Sequence, residues 1–339
     1  MSTPHSSDAP RALITGITGQ DGTYLTELLL EKGYAVYGTS RREPHAAERA
    51  LRRQIGDAWD AGRIQLFQAE LADAERIFDI VQAVLPHETY HLGAQSHVGL
   101  SFESPFETVD ANARGTLAMI DAVRRIAEIQ PVRMYQASTS ELFGKPDVWP
   151  QTEKTPFHPR NPYACSKAYA FDVSVCYREA YGVYVCNGIQ YNHESPRRDP
   201  RYVTRKITQA AARIAAGRQE RLELGRIDVG RDWGYAPEYV DAMWRMLQQP
   251  EPDDYIVATN EWHPLTEFLD IAFARVGRNW RDCVDSDPRL MRPSETGRLQ
   301  GDYSKARDRL GWSPRTTFTE LVEQMVDADV ERLRRGEDD

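Results

Sequence analysis

The fold class this sequence predicts is α/β, a doubly wound parallel sheet with a smaller C-terminal domain. Three observations predict it. Short apolar runs alternate with helix-length amphipathic stretches as far as Ile189. A glycine-rich turn from Thr15 to Gly22 separates the first run from the first helix. After about Tyr191 the alternation fades into irregular Arg-, Pro- and Gly-rich stretches.

Taken in order, Ala12-Leu13-Ile14 is the first strand and Tyr24–Lys32 the first helix. Ala35–Gly38 and Ile64–Phe67 are the next strands, followed by the helix Ala74–Leu85 and the strand Glu88–Leu92. The helix Thr108–Arg125, the strand Val132–Ala137, a helix carrying Tyr163 to about Tyr181 and the strand Val183–Ile189 complete the regular part. Beyond it stand the helices Thr204–Ala216 and Leu265–Val276, and Asp254–Ala258 reads as a strand returning to the first sheet. The expected division is residues 11–190, with 236–262 returning, as a cofactor-binding domain. Residues 191–235 and 263–333 form a substrate-binding domain capping the carboxyl ends of the strands, where open α/β sheets bind ligands.

With 339 residues and net charge −9, acids and bases interleaved, the chain is an ordinary globular protein without the basic field that nucleic acid requires. No apolar run is long enough to span a bilayer. The opening MSTPHSSDAP reads as a tail, not a signal peptide. Cys165, Cys176, Cys186 and Cys283 have no metal-ligand or disulfide spacing, so no metal is expected and a cytoplasmic setting fits. The clusters Arg41-Arg42, Arg197-Arg198 and Arg205-Lys206 are either solvated surface or contacts for a small anion such as a nucleotide.

The glycines at 16, 19 and 22 permit a tight turn and bring a pyrophosphate close to the backbone and the helix N-terminus. At the end of the second strand, where an NAD site places an acid, the chain reads Thr39-Ser40-Arg41-Arg42. Arginine suits a 2′-phosphate, so NADP is the expected cofactor; two surface arginines capping nothing is the alternative.

Tyr163 and Lys167 lie four apart, on one face of a helix, so the ammonium can stand beside the phenol and lower its pKa toward neutrality. That would make Tyr163 a general base, with Thr139 bonding the same reacting hydroxyl. Such pairs also arise by chance on amphipathic helices, leaving an exposed lysine and a half-buried tyrosine. Glu141, two residues after Thr139, is a second acid/base group that a plain dehydrogenase does not need.

These residues sit in longer stretches that carry a resemblance: ALITGITGQDGTY (12–24), LGAQSHV (92–98), YQASTSELFG (135–144), NHESPRR (192–198), VTRKI (203–207), RDWG (231–234) and GWSP (311–314). In order and over nearly the whole chain, they resemble the extended short-chain dehydrogenase/reductase family, with its Rossmann fold. Within it they are similar to the nucleotide-sugar dehydratases that act on GDP-mannose. The resemblance implies NADP, a GDP-sugar substrate, a homodimer or homotetramer, and a catalytic set of Thr139, Glu141, Tyr163 and Lys167. It places the cofactor on Gly16, Thr18, Gly19, Gln20, Asp21, Gly22, Arg41, Arg42, Glu70, Leu71, Leu92, Gln95, Tyr163, Lys167 and His193. It places the substrate on Ser96, Asn192, Lys206, Arg231, Arg292 and Glu295. Lys206, Arg231 and Arg292 are the cations a diphosphate requires, although Arg292 and Glu295 also read as a surface i, i+3 pair.

The implied reaction is C4 oxidation, water elimination across C5/C6 and hydride return to C6, with NADP recycled. It gives GDP-4-keto-6-deoxy-D-mannose from GDP-D-mannose. A 4-epimerase or 4-keto reductase shares Tyr163 and Lys167 but does not need Glu141. The chain departs from the family's usual sequence in several places. Ala69-Glu70-Leu71 replaces Gly-Asp-Leu, and Glu43–Ala46 replaces a Ser-rich loop. Asn161-Pro162-Tyr163-Ala164 replaces Ser-Pro-Tyr-Gly, and Cys186-Asn187 replaces Val-Asn. If Asn161, Ala164 and Asn187 line the sugar pocket, a GDP-heptose becomes an alternative substrate. A non-catalytic NADP-binding protein on the same scaffold is the rival of another class.

Overall fold

The structure is a computed structural model that describes residues 9–291 and 293–337; Met1–Asp8 of the expected tail and Arg292 lie outside them. The first six strands are β1 (Arg11–Thr15), β2 (Ala35–Ser40), β3 (Ile64–Gln68), β4 (Glu88–His91), β5 (Arg133–Thr139) and β6 (Tyr184–Gln190). Short strands β7 (Asn192–Glu194), β8 (Leu222–Leu224), β9 (Gly230–Arg231) and β10 (Trp233–Tyr235) follow. β11 (Asp254–Val257), β12 (His263–Pro264) and β13 (Val284–Ser286) complete the set. Seven strands form one sheet in the order β11-β6-β5-β4-β1-β2-β3, all parallel. The order reverses between β1 and β4, and their carboxyl ends open the crevice in which such sheets bind ligands.

Helices cover both faces, as parallel strands with apolar residues on both sides demand. One face packs α1 (Gln20–Glu31), α2 (Pro44–Ile55) and α9 (Ala236–Leu247) through Leu25, Leu29, Leu51, Met243 and Met246. The other packs α3 (Ala74–Val84) and α6 (Gly115–Ile126) through Ile77, Ile80, Met119 and Val123, with α7 (Pro162–Tyr181) beside β5 and β6. Each such buried aliphatic side chain contributes about 1.5–3 kcal/mol. A further core joins α8 (Val203–Ala215), α10 (Leu265–Arg275) and α12 (Phe318–Arg334) around Trp233, Phe268 and Met325. No helix among the described residues is long and apolar enough to cross a membrane.

Three expectations about elements are corrected. Residues 44–55 after the paired arginines are not a loop: Pro44 sits at the first helical position, where its fixed φ suits a helix start and its missing N–H costs nothing. The predicted helix Thr108–Arg125 is interrupted. The short helix Pro105–Val109 passes through a π-helical turn at Asp110–Arg114 before α6. The first helix begins at Gln20, so Gly22 lies inside its first turn.

Candidate active site

The cleft at the carboxyl ends of the strands has a volume of about 1940 Å³. Its floor is the turn after β1. Gly16 holds φ +69°, a conformation glycine adopts without strain, and a Cβ there would stand 2.9 Å from Gly93 Cα. A Cβ on Gly22 would stand 2.6 Å from the Gly16 carbonyl, which fixes the closeness of turn and helix. The α1 N-cap, Gly19, makes no side-chain cap bond, so the first amides of α1 remain available to an anion. Arg41 and Arg42 extend from the end of β2 into the wall, with Glu70, Leu71, Leu92 and Gln95 further along. A long, basic cleft with this cradle at its base fits a nicotinamide dinucleotide.

The reactive groups meet above β5. Thr139 ends that strand and Glu141 lies in the turn Ser140–Phe143 that follows, its amide donating to Thr139 Oγ1 at 3.2 Å. Tyr163 and Lys167 enter from α7, which starts abruptly because three local signals agree: Asn161 caps it, Pro162 occupies its first turn and Gly182 closes it at φ +66°. Asn161 does more than cap. Its Oδ1 accepts the Ala164 amide at 2.8 Å while its Nδ2 donates to Glu141 Oε2 at 2.8 Å. All four predicted catalytic residues are buried in the wall of this one cleft.

The electrostatics differ from expectation. Burial pushes the Tyr163 phenol well above its ordinary value, against the Thr139 hydrogen bond and the Arg198 charge that favour its ionised form. Lys167 is turned to the Ala137 carbonyl at 2.8 Å, and burial alone pulls it down to about 8. The expected fall of the phenol toward neutrality is therefore not a property of these protein groups by themselves.

His193 and Asp21 close the floor of the cleft. His193 Nε2 meets Asp21 Oδ2 at 2.9 Å and Nδ1 meets the Tyr191 carbonyl at 2.8 Å. Both partners only accept, so the ring carries two protons. Burial opposes that charge, but the Asp21 charge and hydrogen bond outweigh it and raise His193. On Asp21 burial acts upward and is outweighed by the His193 charge and hydrogen bond, so its carboxyl is lowered.

On the substrate side, Ser96, Asn192, Arg231 and Glu295 line the cleft, and Glu295 Oε2 receives Arg231 Nη2 at 3.4 Å. Ser96 Oγ is bonded to the Tyr202 hydroxyl at 2.7 Å. Lys206 lines an adjoining cavity of about 470 Å³ that shares Pro200, Arg201, Gln209 and Arg213 with the cleft, and its ammonium sits on the Glu223 carbonyl at 2.6 Å. Gln209 and Arg213, three and seven residues along α8, border both cavities. Arg292, expected beside Glu295, is outside the described residues. The idea of a retuned sugar pocket is corrected as well. Asn161 is spent on Glu141 and its cap, Ala164 is buried, and Asn187 is bonded to Asp254 Oδ1 at 2.9 Å within the sheet; none of the three lines the cleft.

Arg41 and Arg42 are exposed at the cleft wall, but Arg197, Arg198 and Arg205 are not solvated surface. Arg197 grips Glu27 through two bonds of 2.7 and 2.8 Å, Arg198 faces Glu194 at 3.1 Å over the Tyr202 ring, and Arg205 holds buried Asp329 at 2.6 Å. Arg198 is a site residue that sequence reasoning left unassigned, although the paired arginines after the Asn192–Pro196 stretch were its signal. Asn112 is another: in the π-turn it accepts the Gln95 amide at 2.8 Å and donates to Ser166 Oγ at 3.0 Å, tying the cleft wall to α7. Periodicity gave no sign of it, because a π-turn adds a residue that a regular helix does not count. Among the described residues no cluster of metal-ligating side chains occurs.

A family profile described as GDP-mannose 4,6 dehydratase matches residues 13–325. The chain is 51% identical to GDP-mannose 4,6 dehydratase 1 of Arabidopsis thaliana, covering 96% of this chain and 91% of that one. It is 45% identical to the Homo sapiens GDP-mannose 4,6 dehydratase, covering 95% and 92%. Among solved structures it resembles UDP-glucose 4-epimerase of Thermus thermophilus in complex with NAD. The TM-score is 0.80 at 26% identity, over 94% of this chain and 98% of that one.

Proposed function

The chain belongs to the GDP-mannose 4,6-dehydratase family, and from that premise we propose that it converts GDP-D-mannose to GDP-4-keto-6-deoxy-D-mannose and water. The observation that carries this reading is the placement of Glu141. A carboxylate anchored by Asn161 shares one cleft wall with Thr139, Tyr163 and Lys167, which gives the site both an oxidation base and an elimination acid/base.

The cofactor is a nicotinamide dinucleotide, and we take it to be NADP, since Arg41 and Arg42 stand where an NAD site carries an acid. Gly16, Thr18, Gly19, Gln20, Asp21 and Gly22 would hold its pyrophosphate, and Glu70, Leu71, Leu92 and Gln95 its adenosine and nicotinamide ends. His193 acts there by bracing Asp21. A nicotinamide held there would supply the hydride acceptor for C4 and the hydride donor for C6.

Tyr163 takes the proton from the C4 hydroxyl, with Thr139 hydrogen-bonded to both. The Thr139 hydrogen bond and the Arg198 charge favour the ionised phenol, and Lys167 stands one helical turn along. Glu141 removes the C5 proton, acidified by the adjacent ketone, and gives it to the C6 oxygen as it departs as water. With Asn161 on Oε2, Oε1 is the oxygen left for that work. Arg231, Asn192 and Ser96 would hold the GDP-sugar, with Glu295 orienting Arg231. Lys206 would join them as a diphosphate contact, since its cavity shares four lining residues with the cleft. The cofactor half is residues 11–190 with 236–262, and the substrate half is 191–235 with 263–333.

Phe106, 86% exposed on the short helix packed against α7, and exposed Tyr169 on α7 are apolar surface that a second copy of the chain would cover, and we infer a homodimer or homotetramer. The four cysteines are free thiols, which agrees with a cytoplasmic setting.

Mass spectrometry of GDP-mannose and of a GDP-heptose, each incubated with enzyme and either NADP⁺ or NAD⁺, tests the reading. Loss of one water from GDP-mannose, faster with NADP⁺ and absent in Glu141→Gln, is expected. Water loss from the heptose alone would replace the substrate, and full turnover by Glu141→Gln would remove the assignment.

A further inference from the structure

Two hydroxyls meet across the cleft. Ser96 follows β4 on the cofactor half, Tyr202 stands at the N-cap of α8 on the substrate half, and their oxygens are 2.7 Å apart. Both residues line the cleft that holds Thr139, Glu141 and Tyr163. Ser96 already belongs to the proposed substrate contacts, whereas Tyr202 has no role in the reading above.

Packing does not explain the phenol oxygen of Tyr202. The ring is held by the Arg198 guanidinium, 3.7 Å over its centroid, and by the His97 ring, which meets it edge-on at 5.6 Å. A phenylalanine would keep both contacts. The oxygen is not a cap either, since Tyr202 makes no side-chain bond to the first turn of α8. Its hydrogen-bond partner among the described residues is Ser96, and that bond is open to water. Two water-accessible hydroxyls gain little from each other, because each exchanges one good partner for another. The oxygen therefore adds little to stability, and its place in the cleft calls for a ligand.

Both hydroxyls are held still. Ser96 lies between Gln95, whose amide donates to Asn112 Oδ1 at 2.8 Å, and His97, whose amide donates to Gln95 Oε1 at 2.6 Å. The Tyr202 amide donates to the Asp199 carbonyl at 3.1 Å, and Arg198 against its ring is paired with Glu194 at 3.1 Å. Groups fixed in this way lose little freedom on binding. The pair has two O–H hydrogens. Whichever residue donates, one hydrogen lies between the oxygens and one remains to give, beside free lone pairs. That complements an alcohol, which both gives and accepts. A phosphate is better served by charged donors, which the cleft and its adjoining cavity supply at Arg231 and Lys206. The position agrees: burial is the first cause that raises the Tyr163 phenol, and Tyr202 acts upward on it as well, so the second phenol neighbours the base that works at sugar C4.

We propose that Tyr202, held by Ser96, is a sugar-recognition residue whose hydroxyl bonds a ring hydroxyl of the hexose in a GDP-sugar. The inference rests on the reading above and names one more group that would read the substrate. It divides the ligand in two: the hexose needs the Tyr202 oxygen, and the nucleotide does not.

Tyr202→Phe removes that oxygen and keeps the ring. With the holoenzyme, the KM for GDP-mannose should rise about threefold to tenfold, the worth of one neutral hydrogen bond, while GDP keeps its inhibition constant. The kcat should change less than KM, because the contact is made to substrate and transition state alike. The double variant Ser96→Ala/Tyr202→Phe should cost about as much as the larger single change, since the two hydroxyls act on one alcohol. Ser96→Ala alone should also weaken GDP-mannose and spare GDP, and it gives the comparison if Tyr202→Phe fails to fold. An unchanged KM for GDP-mannose in Tyr202→Phe would overturn the proposal. Equal weakening of GDP and GDP-mannose would overturn it too, because the oxygen would then serve the nucleotide or only the shape of the cleft. A wild-type enzyme that leaves GDP-mannose intact overturns the dehydratase reading instead. Calorimetric titration of the holoenzyme with GDP-mannose and with GDP then still judges Tyr202 by the same ratio.

Discussion

Asn161 holds two things with one carboxamide, and replacing it by serine separates them. Serine keeps a side-chain oxygen at the α7 N-cap, where it ranks with asparagine, but it is too short to reach Glu141. No other group among the described residues donates to that carboxylate. A hydrogen bond to a charged partner is worth roughly 1.5–3 kcal/mol, so Asn161→Ser should slow elimination by about one to two orders of magnitude. Stability should fall less than in the alanine variant, because the cap is kept. Asn161→Ala loses the cap as well, at a cost of about 1 kcal/mol in unfolding free energy. The assay is kcat on GDP-mannose beside a thermal melt, with single-turnover absorbance to show whether reduced cofactor accumulates before the slowed step. Wild-type turnover in Asn161→Ser would refute the reasoning, and so would a stability loss equal to that of the alanine variant.

The pair Asp21–His193 should make stability depend on pH. His193 is raised, so its contribution is complete below about 6.5 and is lost as pH rises through its folded value. Asp21 is lowered, so its contribution is complete above about 3.8 and is lost as pH falls through its folded value. The benefit is greatest between those limits, and Asp21→Asn should lower Tm most near pH 5 and least near pH 9; an equal loss at both removes the argument. Asp329→Ala strands Arg205 inside the core and should cost roughly 3–5 kcal/mol in chemical denaturation. That holds even though burial keeps the Asp329 carboxyl raised against Arg205, because removing one partner leaves the other charge unpaired. A loss below 1 kcal/mol would show that water reaches the pair.

The sheet was legible because parallel strands buried on both faces write themselves as apolar runs, and β1 through β6 were found within a few residues. The helix Ala236–Leu247 was missed although its apolar face packs on α1, because the stretch before it, Leu222–Tyr235, is a chain of two- and three-residue strands without period. That Thr139, Glu141, Tyr163 and Lys167 come together was legible because helix spacing and a short turn fix them locally. What could not be read was electrostatic and long-range. Spacing puts Lys167 on the face of Tyr163, yet burial and the Ala137 carbonyl decide where its ammonium points. The arginines at 197, 198 and 205 looked alike in sequence and have three different acidic partners, at Glu27, Glu194 and Asp329.

The same fold serves the UDP-glucose 4-epimerase it resembles, so the scaffold does not choose the reaction. What the side chains add is local: Asn161 ties up Glu141 Oε2 and leaves Oε1 facing the cleft, so the carboxylate is positioned by the same residue that starts the helix carrying Tyr163 and Lys167. A change in that cap therefore moves the carboxylate, the phenol and the ammonium together, which a test of any one of them alone would not reveal.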